Sequence, residues 1–377
     1  MKPRIFPSGE TDFTGLGLGG LPDAISCTVT EELCGMNWRG GEYALEMEYP
    51  ITGRNYDLIV EERIICAIPA ENTDDWQPFR IYSISRPIGG VVVVKADHIS
   101  RQLKKITCTE FEVFGPISDA FNTIDILDKP TNHFDFVKSG NDYISTYKAE
   151  VPRTVYDILC GDECILDQYS ASFPEVYTFD KWTVTLGSRG SNRGVVISYG
   201  KNMTDIDKTS DMTDTITGLL PYWKDDQDII RHLSWLGTYN DVVLSANYTD
   251  YVYQMVNPVD VESIYRDMEG ATDQQLATAI IEYCGKMLET SSVLPATITV
   301  KFVALNTTDQ YKDIMNARTV NLGDTVTVKY NALGINEQQR VIKTVYNVLA
   351  DRYDSIDIGA KQINLAGVIS KIAKRSR

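Results

Sequence analysis

The chain has 377 residues and a formal net charge of −16, from 36 Lys and Arg against 52 Asp and Glu. This length predicts two to four domains, and a hydrophobic fraction of 43% excludes wholesale disorder. The acidic balance argues against a general nucleic-acid binder and against adhesion to an anionic membrane surface, because both need a concentrated basic face.

The N-terminus, Met1-Lys-Pro-Arg-Ile-Phe-Pro, has no apolar segment of the kind found in a signal peptide. No stretch approaches the ~20 apolar residues that span a bilayer. We therefore expect synthesis in the cytoplasm, without a signal peptide and without stable membrane insertion. The seven scattered cysteines predict reduced, mostly buried thiols, and 21 Tyr against 3 His favour protein–protein contact over catalysis.

The N-terminal region predicts an irregular arm followed by strands. Residues 1–20 contain Gly15-Leu-Gly-Leu-Gly-Gly, but no strand precedes this run and no Lys-Ser/Thr follows it, so a phosphate-binding loop is disfavoured. From Ala24 onwards, polar and apolar residues alternate as in half-buried strands. Five strands are predicted, as in a small barrel or sandwich: Ser26–Thr30, Tyr43–Tyr49, Glu62–Ile68, Phe79–Ile84 and Val91–Ala96.

The central region predicts mixed structure. Short helices are expected from Ile99, from Ser118 and from Thr154, with strands at 143–149 and 181–186. Residues 187–194 form a turn-rich loop that leads into a strand at Val195. Residues 201–230 are acidic, with seven Asp against three Lys.

The clearest helix lies between Pro258 and Glu289, with Asp273 as its cap. Its apolar face is predicted to contain Leu276, Ala279, Ile280, Tyr283 and Met287. Strands follow at 297–302, 325–330, 340–346 and 353–358, and a last helix from Leu365 has a basic end at 371–377. Cations are favoured at a helix C-terminus, so we prefer that explanation to nucleic-acid binding.

Two strand triplets have the same order and similar spacing, at residues 64–96 and 326–358. This repeat predicts two similar barrels in one chain. The predicted fold class is mixed α+β, mainly β, in several domains that include two small β-barrels. The expected division is 1–105 (N-terminal β-barrel), 106–192 (α+β), 193–257 (β-rich with an acidic loop), 258–295 (helical), 296–360 (second β-barrel) and 361–377 (C-terminal helix).

Several residue groups could carry chemistry. Cys160 and Cys164 have the spacing of half a zinc site, but the second half is missing. Asp97, His98 and Ser100 are triad residue types without triad geometry, and Cys108 and His133 could pair as thiol and base.

Carboxylates offer two further candidates. The Asp cluster at 205–228 could hold a hard cation, although EF-hand spacing is absent. Asp119, Asp125 and Asp128 could act in glycoside hydrolysis if their separation suited it. In every case a structural role is favoured, so no catalytic, cofactor-binding or metal-binding residue is predicted.

Seven segments, in order from about residue 5 to 365, together resemble the tail-associated hub proteins of phages and prophages of Gram-positive bacteria. These proteins are often labelled phage minor structural protein or prophage endopeptidase tail. The segments are Leu21-Pro-Asp-Ala-Ile-Ser-Cys-Thr-Val-Thr-Glu-Glu-Leu, Tyr43-Ala-Leu-Glu-Met-Glu-Tyr-Pro-Ile-Thr-Gly, Gln77-Pro-Phe-Arg-Ile-Tyr, Arg193-Gly-Val-Val-Ile-Ser-Tyr-Gly-Lys-Asn-Met-Thr, Pro221-Tyr-Trp, Leu322-Gly-Asp-Thr-Val-Thr-Val and Asp351-Arg-Tyr-Asp-Ser-Ile-Asp-Ile-Gly.

The resemblance implies a structural baseplate hub in the virion tail tip, similar to the trimeric hub of contractile phages. Such hubs carry two tube-like β-barrels per subunit, so a homotrimer presents six barrels to the sixfold tail tube and distal tail protein. A fibre or lysin would follow downstream. The chain ends at Arg377 without a catalytic signature, so the endopeptidase label is not carried over.

Two alternatives remain open. One is a peptidoglycan hydrolase whose active site the sequence does not reveal. The other is an adhesin for host-wall glycans, in which Trp76, Trp182 or Trp223 would stack on sugars.

The repeat also makes a geometric prediction. Apolar residues Ile64, Ile81, Val93, Val326, Val341 and Ile356 should point into the two barrels. Arg80, Tyr82, Lys329 and Lys343 should point outwards and be free to contact neighbours.

Overall fold

Strands from the two ends of the chain share one sheet of thirteen strands. They lie in a computed structural model that describes residues 2–35, 41–71, 73–85, 89–161, 164–166, 175–198, 203–210, 215–268, 270–291, 296–302, 320–331 and 335–359. A first unit comprises Met1–Lys208 and Ile298–Ala360. A second unit, which includes Thr209–Thr297, is inserted between these two stretches.

The N-terminal part of the first unit confirms the predicted strands. Its strands are β1 Arg4–Phe6, β2 Gly19–Gly20, β3 Ser26–Glu32, β4 Cys34–Gly35, β5 Tyr43–Pro50, β6 Ile64–Ala67, β7 Gln77–Ser85 and β8 Val91–His98. Alternate residues of β3, such as Cys27 and Val29, are buried in the core, as the period of two requires. The arm is not irregular throughout, because β1 pairs with both β2 and β6.

The central part of the first unit contains smaller sheets and two α-helices. Its strands are β9 Thr107–Cys108, β10 Phe111–Pro116, β11 Asp128–Lys129, β12 Asp135–Lys138, β13 Ile144–Ala149, β14 Arg153–Thr154, β15 Val176–Asp180, β16 Thr183–Gly187, β17 Asn192–Ser198 and β18 Met203–Ser210. The helices are α1 Ile117–Leu127 and α2 Val155–Cys160, with 3₁₀ helices at Tyr56–Leu58 and Ile99–Lys105. Thr154 caps α2, since its Oγ1 accepts a hydrogen bond from the Asp157 amide at 3.1 Å.

The second unit has its own small sheet and its own core. It contains β19 Gly218–Lys224, β20 Ile230–Arg231, β21 Val243–Leu244, β22 Val256–Asp260, α3 Glu262–Asp267, α4 Asp273–Ser291 and 3₁₀ helices at Leu233–Leu236 and Tyr248–Asp250. The cap of α4 is Thr272 rather than Asp273, because Thr272 and Gln275 exchange hydrogen bonds. The buried face of α4 consists of Leu276, Ala277, Ile280, Cys284 and Leu288.

That face differs from the predicted one. Ala279, Tyr283 and Met287 are only half-buried. The apolar residues of α4 cover more than half of its circumference. The sequence pattern therefore does not determine which of these residues lie at the centre of the buried face.

The C-terminal strands complete the large sheet. They are β23 Ala296–Phe302, β24 Thr325–Tyr330, β25 Ile335–Asn347 and β26 Arg352–Gly359. The sheet runs in the order β18-β23-β26-β25-β3-β5-β8-β7-β6-β1-β2, and β24 pairs with β17 and β25 beside this path. The long strand β25 pairs with β24 through Arg340 and with β3 from Lys343 onwards. A bulge between Val341 and Lys343 marks this change of partner.

The mainly β, multi-sheet fold is confirmed, but two tube-like barrels are not. The strands β6–β8 form one antiparallel three-stranded unit and β24–β26 form another, as the repeat predicted. Both belong to one continuous sheet, and none of the sheets traced by the described residues closes on itself. The strands β3 and β5 lie between the two triplets, because β25 pairs with β3, β3 with β5 and β5 with β8. The finer six-part division of the sequence stays a prediction.

Five of the six predicted core positions in these units are buried: Ile64, Ile81, Val326, Val341 and Ile356. Val93 is an exception, because it is half-buried while Val92 and Val94 are fully buried. In the run Val91–Val94 every residue is valine, so the sequence does not reveal which alternate set faces the core.

The predicted helix from Leu365 with its basic end lies outside the described residues, and so do the acidic positions 211–214. Among the helices of the described residues, none is long and apolar enough to cross a membrane.

Candidate functional site

Two loops interlock where the N-terminal and C-terminal parts of the first unit meet. Gly190 has a φ of +87°, and Gly323, on the facing loop, has a φ of +91°. A Cβ atom added to Gly190 would lie 2.0 Å from the carbonyl carbon of Gly323. Only glycine permits both this conformation and this backbone approach. We call the loops 187–194 and 321–324 the junction.

A buried carboxylate holds the junction together. Asp324 is 1% exposed, and its Oδ1 accepts a hydrogen bond from the amide of Ser191 at 2.7 Å. Its Oδ2 accepts another from the Asn321 amide at 2.9 Å and lies 3.8 Å from the Arg193 Nε. The parallel strands β17 and β24 follow directly from these loops. Asp324 thus fixes the start of both strands.

Two arginines extend the junction into the large sheet. Arg189 Nη1 lies 2.8 Å from Oε1 of Glu31 on β3. Burial opposes the charge of Arg189, but the neighbouring Glu31 holds the pKa of this guanidinium above its usual value. Arg340 donates to the carbonyl oxygens of Arg189 and Gly323 at 2.7 and 3.1 Å. Burial, and then the charge of Arg189, lower the pKa of Arg340.

The sequence does not predict the junction as a site. It predicts a turn-rich loop at 187–194, and Leu322-Gly-Asp contributes only to the family resemblance. The available signal was the number of glycines in 187–194 together with an Asp that follows a glycine at 323. Neither feature indicates that the two loops touch.

The structure brings His98 and Ser100 together without forming a triad. His98 Nδ1 lies 2.9 Å from Ser100 Oγ, and Nε2 lies 3.2 Å from Oε1 of Gln77. Gln77 in turn donates to Oδ1 of Asp180 at 2.9 Å. Both His98 and Ser100 are buried, and Asp97 points to the opposite face of β8, because side chains alternate along a strand.

This buried network affects the charge of His98. Burial lowers the pKa of His98 to about 3, and the nearby Arg101 adds to the effect. The imidazole stacks on Tyr43 with ring centroids 4.3 Å apart. The neutral imidazole of His98 is thus packed within the core, and Ser100 beside it is also buried.

The cysteine candidates are buried in the core. Cys160 ends α2, and its Sγ lies 2.9 Å from Sγ of Cys34. No group of three or more His, Cys, Asp or Glu among the described residues could hold a metal ion, so the zinc hypothesis gains no support. Cys108 lies opposite Asp128 on a neighbouring strand, whereas His133 packs edge-on against Trp182.

The candidate carboxylates Asp119, Asp125 and Asp128 have different environments. Asp119 and Asp125 are exposed on the helix, while Asp128 is buried beyond its end. Asp128 accepts a hydrogen bond from Asn132 at 2.7 Å. Burial raises the pKa of Asp128, and the charge of Asp125 contributes. The buried Asp128 and its hydrogen bond to Asn132 therefore stabilise the turn that follows α1.

The described part of the acidic run 205–228 makes local contacts. Asp205 on β18 lies 3.3 Å from Lys301. Asp225 accepts hydrogen bonds from the amides of Gln227 and Ile229 and lies 2.7 Å from Arg231. The hydrogen bond from Ile229 is the main reason why the pKa of Asp225 is lowered. These contacts build a turn between β19 and β20.

The glycine run and the three tryptophans named for the adhesin alternative make contacts within the chain. Gly17 packs on Ile5, and Gly19–Gly20 forms β2. Trp223 is fully buried, so it cannot stack on a glycan. Trp76 lies beneath the guanidinium of Arg4 at 3.9 Å, and the Trp182 Nε1 donates to the Thr11 carbonyl at 3.1 Å.

The four predicted outward positions divide into two pairs. Tyr82 and Lys329 are exposed. Arg80 donates to the carbonyl oxygens of Ser8 and Glu62, and Lys343 pairs with Glu42 at 3.3 Å. Only the first pair is therefore free of these intrachain bonds.

The fold is that of prophage tail proteins. Prophage tail protein gp18 from Listeria monocytogenes EGD-e matches with a TM-score of 0.57 and 12% identity, over 99% of both chains. The tail protein from Neisseria meningitidis MC58 has a TM-score of 0.57 and 11% identity, over 99% of this chain and 98% of the other. The 43 kDa tail protein of prophage MuSo2 from Shewanella oneidensis has a TM-score of 0.58 and 12% identity, over 95% and 98%.

The sequence itself agrees with the fold. Residues 191–368 match the family described as Prophage endopeptidase tail, which confirms the resemblance to prophage tail proteins. The match begins inside the junction and spans the inserted second unit. A search of curated proteins found no match.

Proposed function

We propose that the chain is a structural hub protein at the tail tip of a phage or prophage and that it acts as a homotrimer. The observation that carries this proposal is the pair of antiparallel three-stranded units, β6–β8 and β24–β26, within one sheet of one chain. Three chains would present six such units. A threefold protein can match a sixfold ring in this way.

The partners follow from that symmetry. The tail tube and the distal tail protein would dock on the six units, and a fibre or lysin would attach on the opposite side. The family match over residues 191–368 and the shared fold support a position in the virion tail. The triplets β6–β8 and β24–β26 would make equivalent contacts with the ring, and each would form one part of a tube-like wall.

The exposed residues of the two units are the expected contact positions. Tyr82 lies on β7 of the triplet β6–β8 and is 58% exposed. Lys329 lies on β24 of the triplet β24–β26 and is also exposed. An exposed tyrosine on a sheet is well suited to a protein interface, since its ring is large and its hydroxyl remains hydrated.

The mass of the assembly in solution tests the proposal. We expect light scattering of the purified chain, alone or with its distal tail protein, to give three chains per particle. Tyr82→Glu should weaken assembly. Tyr253→Glu changes another exposed tyrosine, which lies in the inserted unit Thr209–Thr297 and outside both strand triplets, and it should not weaken assembly. A single-chain mass at every concentration, with and without that partner, would contradict the trimer.

The proposed role is structural and not enzymatic. The word endopeptidase belongs to the description of the matched family. Zymography on peptidoglycan separates the alternatives. We expect no clearing by the isolated chain, and clearing that one acidic or cysteine substitution abolishes would overturn the structural assignment.

A further inference from the structure

Two buried thiols from distant parts of the first unit approach each other closely. Cys34 lies on β4 and Cys160 is the last residue of α2, 126 positions further along the chain. Their Sγ atoms are 2.9 Å apart, and the two residues are 1% and 5% exposed. A disulfide bond is about 2.05 Å long, so a small rotation of the side chains would bring the sulfurs to bonding distance.

The backbone holds both residues in place. The strand β4 pairs with β15, where Cys34 lies opposite Tyr177, and β15 pairs in turn with β16. The helix α2 begins at a capped residue, Thr154, and ends at Cys160, where the amide of Gly161 bonds to the carbonyl of Asp157 at 2.9 Å. The approach of the sulfurs therefore joins two ordered elements.

We propose that Cys34 and Cys160 are a disulfide-forming pair that reacts with low-molecular-weight disulfides. The chain would carry both thiols in a reducing cytoplasm and the cross-link in an oxidising medium. The bond would fasten β4 to the end of α2. Closing a loop of this length restricts the unfolded chain strongly, so the oxidised form should be the more stable one.

The chemistry proceeds by two exchanges with one oxidant molecule. One cysteine loses its proton, and its thiolate attacks a sulfur of the small disulfide, so that a mixed disulfide forms and one small thiolate leaves. The thiolate of the second cysteine then attacks the protein sulfur of the mixed disulfide and releases the second small thiolate. Two protein thiols are oxidised, one small disulfide is reduced to two thiols, and the two protons go to these thiols.

Burial sets the rate of this reaction. Burial, followed by the hydrogen bond with Cys34, raises the pKa of Cys160 well above that of an exposed thiol. The thiolate is therefore scarce at neutral pH, and the oxidant needs local opening to reach it. We expect slow formation of the bond, with a rate that rises up to about tenfold per pH unit.

The test uses the full-length chain. The reduced protein is incubated with excess oxidised glutathione under anaerobic conditions with a chelator, then alkylated in denaturant and digested with trypsin. Trypsin leaves Cys27 with Cys34 in residues 5–39, and Cys160 with Cys164 in residues 154–181. We expect these two peptides to be cross-linked, and the cross-link to disappear on reduction.

Single substitutions assign the bonding sulfurs. Cys34→Ala and Cys160→Ala should each abolish the cross-link, while Cys27→Ala and Cys164→Ala should retain it. Cys284→Ala, at a buried cysteine of the second unit, serves as a further control. Because a variant can fail for lack of folding, a second measurement compares wild-type protein before and after oxidation, and its urea midpoint should rise.

Three outcomes would overturn the proposal. The first is full alkylation of both thiols after prolonged incubation with the oxidant at alkaline pH. The second is a cross-link that survives in Cys34→Ala or Cys160→Ala. The third is an oxidised wild-type protein with an unchanged or lower urea midpoint.

Discussion

The buried His98 links the stability of the chain to pH. Its pKa is about 3 in the folded chain, against about 6.5 for an exposed histidine. Between these values the unfolded chain binds the proton and the folded chain does not. The free energy of unfolding should therefore fall as pH drops from about 6.5 towards 3, by up to about 1.4 kcal/mol per pH unit from this one group.

The difference between wild type and His98→Asn isolates that contribution. In urea unfolding at a series of pH values, wild type should have the higher free energy of unfolding at neutral pH. The difference in free energy between wild type and His98→Asn should become smaller as the pH falls. Ser100→Ala removes the 2.9 Å partner of His98 but keeps the imidazole buried, so it should lower stability and retain the pH dependence. Parallel curves for wild type and His98→Asn would show that His98 does not act in this way.

Gly190 sets a second residue-level constraint. Alanine at this position would need a φ of +87° and would place its Cβ 2.0 Å from Gly323. We expect Gly190→Ala to lower the free energy of unfolding by more than about 3 kcal/mol, since the strain and the clash add. Gly194 has a φ of +68° with nothing within 4 Å of an added Cβ, so Gly194→Ala should cost only about 1 kcal/mol. Equal urea midpoints for the two variants would contradict this account of the junction.

At the level of elements, a pair of substitutions tests which alternate set of residues on β8 faces the core. Val94 is fully buried and Val93 is half-buried, so Val94→Thr places a hydroxyl in the core while Val93→Thr does not. The first change should cost about 1–3 kcal/mol and the second much less, because threonine has nearly the shape of valine. Chemical denaturation compares them. A larger loss from Val93→Thr would support the phase that was predicted from sequence.

The outcome for whole elements shows what local pattern can specify. Alternation in Tyr43–Pro50 and in Thr325–Tyr330 identified these strands and their buried faces. The same reasoning did not fix the phase of the all-valine run in β8, nor the centre of the apolar face of α4. Where one face alone is apolar, the pattern determines orientation, and where both faces are apolar, packing determines it.

At the level of the whole molecule, the two units have separate cores. The core of the second unit includes Trp223, Ile280 and Leu288, none of which belongs to the core of the first. Thr209–Thr297 also has 14 acidic and four basic residues, a net charge of −10, which is well over half of the charge of the chain. Because the two cores share no residues, the units should respond separately to core substitutions.

Hydrogen exchange measures this response. Ile280→Ala should speed exchange in β19 and α4, because it removes about 2–5 kcal/mol from the core of the second unit. Protection of β3, β5 and β8 should stay unchanged. Val29→Ala, in the core of the first unit, is the matched substitution and should give the reverse pattern. Uniform loss of protection in either variant would mean that the units unfold as one.

Sequence patterns predict the mainly β composition, most strand and helix positions, the repeat of three strands and the resemblance to prophage tail proteins. Each of these depends on neighbours in the chain or on the order of motifs. Tertiary packing makes β25 leave β24 for β3 at a bulge, so that the two predicted barrels lie in one sheet. Packing also brings Gly190 against Gly323, and Cys34 against Cys160. Contacts of this kind join residues more than a hundred positions apart, and no local pattern encodes them, because they depend on how whole strands and loops pack.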